Sequence, residues 1–191
     1  MIISLNEAQK LNAQLTQGDV DALEVMVRNT THNSFIDTSV KRTGFVVSNG
    51  NTLTFDDDYV IKYLRAGDTV LLDNTTTFDS QGANINNGLF IVDSVVDNVV
   101  TIKNSNGENP NLFSVQHVSG LIAKIKYPDD ILTGVKKLIS YDVKTADNVG
   151  LKSRTISRAS ETYLDVNATD NINGYPSALL GFLKKYTKLR W

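Results

Sequence analysis

The sequence predicts an α+β fold, in which a small helical bundle base carries an inserted antiparallel β barrel or sandwich domain. Apolar residues at helical spacing open the chain, a two-residue period with frequent turn residues begins near Thr43, and helical spacing returns after Tyr127. We therefore assign residues 1–39 and 127–191 to a helical domain with two N-terminal and two C-terminal helices. Residues 40–126 form the predicted β domain.

Two capping signals open the N-terminal helices. Ser4 and Glu7 have the spacing of a capping box, in which the two side chains bond backbone N–H groups of the first turn. Thr16 and Asp19 repeat this spacing before a second apolar stripe. The polar run 29–34 ends the second helix, because its Asn, Thr and Ser side chains compete with helical hydrogen bonds.

The β domain begins with a hairpin signal. Asn49-Gly50 separates two runs rich in Thr, Val and Phe, and this dipeptide suits the positive φ angles of a type I′ turn. Short, evenly spaced strand-like runs follow between Asp-, Asn- and Gly-rich turns, a pattern typical of a small barrel or sandwich. These runs cover residues 69–72, 89–92, 95–102 and 121–126.

The C-terminal helices begin at Pro128, since proline suits the first helical position and the two aspartates that follow complement the positive helix N-terminus. An apolar face then extends from Ile131 to Ile139. We expect an irregular or extended stretch at 151–165. The last helix is predicted to open at 173–176.

The composition argues against an enzyme, a cofactor and a bound metal. No cysteine is present, which excludes disulfides and thiolate sites and fits a reducing compartment. The two histidines, His32 and His117, lack a metal-ligand spacing. Asp56-Asp57-Asp58 lacks the alternating ligands and the terminal Glu of a calcium loop. Because no phosphate-binding loop or nucleophile elbow is present either, we predict a protein without enzymatic activity.

Charge is distributed unevenly along the chain. Residues 131–191 contain 10 Lys and Arg against 5 Asp and Glu, whereas residues 1–130 contain 9 against 16. The basic last third suits an acidic partner or nucleic acid, or forms an ordinary solvated face. No apolar run has the length of a signal peptide or a membrane span, so we expect no membrane association.

The chain ends in a basic segment that also carries aromatic residues. Three interpretations are open: contact with nucleic acid, a favourably charged helix end, and docking to another protein. We favour docking, because an exposed Leu-Arg-Trp end serves little purpose in an isolated monomer. The competing interpretation is that Trp191 folds back onto the helical core of its own chain. The predicted anchors are Lys184, Lys185, Tyr186, Lys188, Leu189, Arg190 and Trp191.

Several motifs follow one another in the last third: Tyr127-Pro128-Asp129-Asp130-Ile131, the run 150–158, Tyr163, Gly174-Tyr175-Pro176 and the run 179–186. In order and spacing they resemble the C-terminal part of phage head-tail connector (adaptor) proteins, especially those of phages that infect Gram-positive bacteria. The helical pair within residues 1–35 resembles the opening segment of that family. The middle departs from the smallest members, which are nearly all helical.

This middle part looks like a β module that recurs in phage structural proteins. The residues that carry this second resemblance are the runs 64–70 and 86–92. It is therefore interpreted as an insertion that decorates the ring.

The resemblance implies a structural virion protein of the phage neck, made and assembled in the host cytoplasm. It implies a homo-oligomeric ring of twelve copies beneath the portal protein, which extends the DNA channel toward a stopper or tail-completion protein. Viral DNA would pass without sequence-specific binding. Related adaptors engage the portal through their C-terminal segment, so the tail anchors become predicted portal-binding residues. Predicted subunit-interface residues are Lys152, Arg154, Ile156, Arg158 and Tyr163. The alternative is a nucleic-acid-binding module that uses the basic C-terminal segment.

Overall fold

The chain has a mixed α+β fold, which confirms the predicted class. The structure is a computed structural model, and it divides the chain into two compact units. Met1 and Ser34–Lys126 form one unit, here called the β unit, while Ile2–Asn33 and Tyr127–Trp191 form the other, here called the terminal unit. The residues described are 1–59, 61–75, 77–79, 82–84, 86–146, 153–156, 159–162 and 171–189.

The terminal unit contains three α-helices, α1 (Leu5–Gln9), α2 (Gln17–Thr31) and α3 (Asp129–Thr145), among its described residues. The capping box predicted at Thr16 and Asp19 forms completely at the start of α2, whereas at Ser4 and Glu7 only the bond to the serine side chain forms. In that bond the backbone N–H of Glu7 donates to the Ser4 hydroxyl over 3.3 Å.

α3 begins one residue later than predicted. Pro128 lies at its N-cap in an extended conformation, and Asp129 is the first helical residue. The buried face of the helix follows the predicted apolar spacing and consists of Ile131, Gly134, Val135, Leu138 and Ile139.

The prediction that the last helix opens at residues 173–176 is wrong. Asn173 and Gly174 form the turn between two short strands, β11 (Asn171–Ile172) and β12 (Tyr175–Pro176). Their φ angles are 53° and 84°, the positive values that a type I′ turn requires, so the Asn-Gly preference for hairpins outweighs the helical spacing here. What remains of the predicted helix is a 3₁₀ helix at Gly181–Tyr186.

The β unit is built on six antiparallel strands. They are β1 (Ile36–Ser48), β2 (Thr52–Thr54), β3 (Thr69–Asp73), β6 (Gly88–Val96), β7 (Val99–Lys103) and β8 (Gln116–Ile125). They pair in the order β1-β2-β7-β6-β3-β8, and β8 pairs with β1 as well, so every one of the six has a partner on both sides.

Shorter elements complete the fold. β4 (Thr77–Asp79) pairs with β5 (Gly82–Asn84) in the β unit, and β9 (Ser153–Ile156) pairs with β10 (Ala159–Thr162) in the terminal unit. A 3₁₀ turn lies at Ile61–Tyr63.

Alternate side chains of the six strands point into one apolar core. The Phe45 and Phe55 rings lie 5.8 Å apart in it, at a tilted angle that aromatic pairs prefer. Ile61 of the 3₁₀ turn and Leu64, which follows the turn, are also buried in this core. Other strand residues that are at most 2% exposed there are Val47, Leu53, Val70, Leu72, Val92, Val100, Ile102 and Ile122.

Two strand boundaries differ from the prediction. β1 begins at Ile36, ahead of the predicted start of the β domain at residue 40. Ile36 belongs to the strand because it pairs with Ile125, the last residue of β8. The predicted run 95–102 is broken at Asp97, whose φ angle of 50° turns the chain between β6 and β7. Asp-Asn is a turn dipeptide because both side chains tolerate this conformation.

Candidate functional site

The C-terminal segment, residues 184–189, is attached to the end of α2 by two hydrogen bonds. The backbone N–H of Lys188 donates to the carbonyl oxygen of Thr31 over 2.8 Å. The side-chain amide of Asn33 donates to the carbonyl oxygen of Tyr186 over 3.3 Å. Since Leu183, just before the segment, is 1% exposed, the segment leaves a buried position and then runs along the surface of the terminal unit.

Two of the predicted anchors have partners within the terminal unit. The Tyr186 hydroxyl donates to Asp130 Oδ1 over 2.6 Å, and the Lys185 ammonium lies 2.6 Å from Asp130 Oδ2. These two donors, Lys185 first, hold the pKa of the Asp130 carboxyl below its ordinary value. Lys185 and Tyr186 therefore tie the segment to the start of α3.

The remaining described anchors face outward. Lys184 and Lys188 are exposed, and the Leu189 side chain is 77% exposed. An apolar side chain this exposed between cations suits contact with a partner better than a role in the core of its own unit. Arg190 and Trp191 lie outside the described residues, as does the predicted folding back of Trp191.

The structure describes the backbone of two predicted subunit-interface residues. Arg154 and Ile156 lie on β9, opposite Glu161 and Ala159 of β10. Lys152, Arg158 and Tyr163 lie outside the described residues. The β9–β10 pairing places Arg154 and Ile156 in the same short antiparallel hairpin.

A lysine-lined cleft lies on the outer side of α3, where the sequence analysis placed no functional residue. It is open and has a volume of about 400 Å³. We call it the lysine cleft. Its lining comprises Thr133, Lys136, Lys137, Ser140, Tyr141, Lys144 and Leu179.

The signal for this cleft is present in the sequence. Lys136, Ser140 and Lys144 recur every four residues, on the side of α3 away from its buried positions, and Lys137 lies beside the first of them. A helical projection of α3 alone would have separated the lysine face from the apolar one.

Two of the residues considered for catalysis or metal binding, His117 and Asp57, have structural partners. His117 is 2% exposed and lies beside the Asn86 amide, while Asp57 pairs with Arg42 over 2.8 Å. Asp57 also accepts the backbone N–H of Tyr59 through its other oxygen. Within the described ranges, no group of three or more His, Asp or Glu side chains is placed to hold a metal ion.

The sequence matches no protein-family model, and no curated protein matches it. Among the helices that the structure describes, none combines the length and the apolar character needed to cross a lipid bilayer.

Proposed function

We propose that this chain is a head-tail connector (adaptor) of a tailed phage, a structural protein of the virion neck without enzymatic activity. Twelve copies form a ring beneath the portal protein, and the ring extends the DNA channel toward a stopper or tail-completion protein. The motifs shared with this family, in residues 1–35 and 127–191, give the proposal its starting point.

The terminal unit is proposed as the helical base of the ring subunit, and the β unit as a small barrel inserted into it. The returning order of strand pairing, in which β8 reaches β1, supports the barrel. The backbone bond from Lys126 N–H to the Phe35 carbonyl joins the two ends of the β unit, as expected of an inserted module.

The observation that carries the proposal is the exposure of Leu189 at the end of a fastened segment. The backbone bond from Lys188 to Thr31 of α2 and the contacts with Asp130 fix the direction in which this segment leaves the terminal unit. A fixed direction reduces the ordering entropy that a flexible tail would lose on binding. Leu189 then reaches a portal groove together with Arg190 and Trp191.

The proposed roles within the segment differ from residue to residue. Lys184 and Lys188 supply charge that attracts an acidic partner surface, whereas Lys185 and Tyr186 hold the segment in place through Asp130. Trp191 is the proposed principal anchor, since a buried tryptophan contributes on the order of 2 kcal/mol or more at an interface hot spot. Repetition around the ring multiplies such contacts through avidity.

Co-sedimentation with portal rings of the phage that encodes the chain tests the proposal. Deletion of residues 189–191 is expected to abolish co-sedimentation while leaving the melting temperature unchanged. Leu189→Asp is expected to weaken it at least tenfold. Ile172→Asp is the matched control, because Ile172 is also an exposed apolar residue of the terminal unit, at 47%.

Four outcomes would contradict the proposal. A truncated chain that still attaches to portal rings would remove the tail from the interface, and a large fall in its melting temperature would place the tail in the core of its own unit. Light scattering that shows a concentration-independent dimer would argue against a ring assembled on the portal. Submicromolar binding to free duplex at physiological salt, without portal binding, would favour the nucleic-acid-binding module.

A further inference from the structure

The lysine cleft of α3 combines three cations with an open concave shape. Lys137 and Lys144 are exposed and Lys136 is half-buried, and all three line the cleft of about 400 Å³. We infer that this cleft is the surface through which the chain contacts the phosphate backbone of duplex DNA. The inference rests on the proposed function, which brings duplex DNA through the ring.

The lining of the cleft contains no acidic side chain. Two carboxylates of α3 are used elsewhere, since Asp130 pairs with Lys185 and Tyr186, and Asp142 accepts the Tyr175 hydroxyl over 2.7 Å. Glu7 approaches Lys136 to 3.7 Å at an exposed position, where an ion pair contributes little.

The charged donors in the cleft are the lysine ammonium groups. The Ser140 hydroxyl donates to the Lys136 carbonyl and the Thr133 hydroxyl to the Asp129 carbonyl, so neither hydroxyl proton is available to a ligand. Each ammonium group carries three donors. Lys136 and Lys144 are eight residues apart on the helix, which separates them by about 12 Å along its axis and suits successive anionic groups rather than one small anion.

Duplex DNA fits the cleft better than a protein surface does. Protein hot spots use Trp, Tyr and Arg in desolvated pockets. This lining is open, its charged side chains are three lysines, and Leu179 is its one aliphatic side chain. Its one aromatic residue, Tyr141, has its ring 6.1 Å from the ring of Tyr175. Lysines on phosphates bind without regard to sequence and release counterions. Contacts of this kind are weak in each copy, so they guide DNA through the ring without stopping it.

Fluorescence anisotropy of a labelled mixed-sequence duplex tests the inference on the full-length chain. Three phosphate contacts predict that log K falls with log salt concentration with a slope of about −2.7. The triple variant Lys136→Gln, Lys137→Gln, Lys144→Gln is expected to lose at least tenfold in affinity at about 50 mM salt, with a correspondingly flatter slope.

A second triple variant serves as the matched control. Lys10→Gln, Lys41→Gln and Lys126→Gln remove the same charge from exposed positions outside the cleft and are expected to change affinity by less than about twofold. Equal losses in both triple variants would overturn the inference, because net charge alone would then explain binding. So would a wild-type chain that binds no duplex at low salt.

The outcomes also separate this inference from the proposed function. If Lys184→Gln with Lys188→Gln abolishes duplex binding and the cleft variant does not, the DNA contact belongs to the C-terminal segment and the inference is wrong. Portal binding by a cleft variant that retains full duplex affinity would refute the inference and leave the adaptor proposal standing. Loss of duplex affinity in the cleft variant, in a chain that ignores portal rings, would support the cleft and refute the adaptor.

Discussion

The Nε2 atom of His117 lies 2.8 Å from the Nδ2 atom of Asn86, and both side chains are 2% exposed. The orientation of the Asn86 amide follows from Phe113, whose backbone N–H donates to Asn86 Oδ1 over 2.8 Å and whose carbonyl accepts from Nδ2. Because Nδ2 is a donor, the Nε2 atom of His117 must accept. The folded β unit therefore holds the His117 ring in its neutral form.

This arrangement predicts that acid destabilises the β unit. Burial lowers the pKa of His117 below its ordinary value, so the unfolded chain takes up a proton first as the pH falls below about 6.5. The free energy of unfolding then decreases until the lower pKa of the folded state is reached. Urea denaturation between about pH 7 and 5 should show a smaller pH dependence for His117→Gln than for the wild type.

His32→Asn is the control for that measurement. His32 is exposed and has a φ angle of 48°, a conformation that asparagine tolerates. We expect this variant to keep the pH dependence of the wild type. An unchanged pH dependence in His117→Gln would show that other groups cause the acid sensitivity.

Removal of the Asn86 amide should lower the free energy of unfolding of the β unit. Asn86→Ala leaves the buried ring of His117 without this partner, and it removes the partner of the backbone N–H and carbonyl of Phe113 at a partly buried position. The expected loss is about 2–4 kcal/mol in the free energy of unfolding, measured with urea. Asn106→Ala changes an exposed amide of the same unit and should cost less than about 0.5 kcal/mol; equal costs would show that burial does not decide the effect.

Tyr127→Phe tests a second buried polar contact, in the terminal unit. The Tyr127 hydroxyl donates to Glu24 Oε1 over 2.9 Å, and Glu24 is 3% exposed. Loss of this donor from a buried carboxyl group should cost about 1.5–3 kcal/mol in thermal or urea unfolding. Tyr175→Phe removes the same kind of bond from the exposed Asp142 and should cost less than about 1 kcal/mol. A larger cost at Tyr175 would show that burial of the carboxylate does not decide the cost of losing the tyrosine hydroxyl.

Gly134→Ala should displace the Phe182 ring. A Cβ atom at position 134 would lie 2.3 Å from that ring, too close for any contact between carbon atoms. Alanine gains up to about 1 kcal/mol of helix propensity over glycine, but overpacking costs about 1–3 kcal/mol, so we expect a lower melting temperature. Gly181→Ala meets no atom within 4 Å and should be neutral or slightly stabilising. A melting temperature of Gly134→Ala at or above the wild-type value would show that Phe182 moves aside freely.

Local features of this fold follow from sequence because a few adjacent residues decide them. The capping box of Thr16 and Asp19 depends on atoms three residues apart, and the Asn49-Gly50 turn has the predicted positive φ angles of 53° and 74°. The same rule applied at Asn173-Gly174 predicts the hairpin that the helical spacing obscured. The error arose from weighting apolar periodicity above turn chemistry.

The polar contacts that stabilise each unit are not local, which is why the sequence does not reveal them. Glu24 and Tyr127 are 103 positions apart, and Asn86 and His117 are 31 apart. In the sequence, Asn86 looks like an ordinary turn residue. Only the folded β unit, in which His117 of β8 lies next to it, shows its buried polar contact. Likewise, the sequence shows that the C-terminal segment is basic. It does not show that Lys185 and Tyr186 contact Asp130, because that contact depends on where α3 begins.

The pairing of Ile36 with Ile125 means that the β unit begins and ends at neighbouring points. A short peptide turn would suffice to join Phe35 to Lys126, whose backbones are already hydrogen-bonded over 2.9 Å. Because its two ends are adjacent, recombination within the gene can remove, enlarge or exchange such a segment while the flanking sequence is kept. A shorter or longer segment between residues 36 and 125 would therefore leave the chain on either side to continue from the same two neighbouring points.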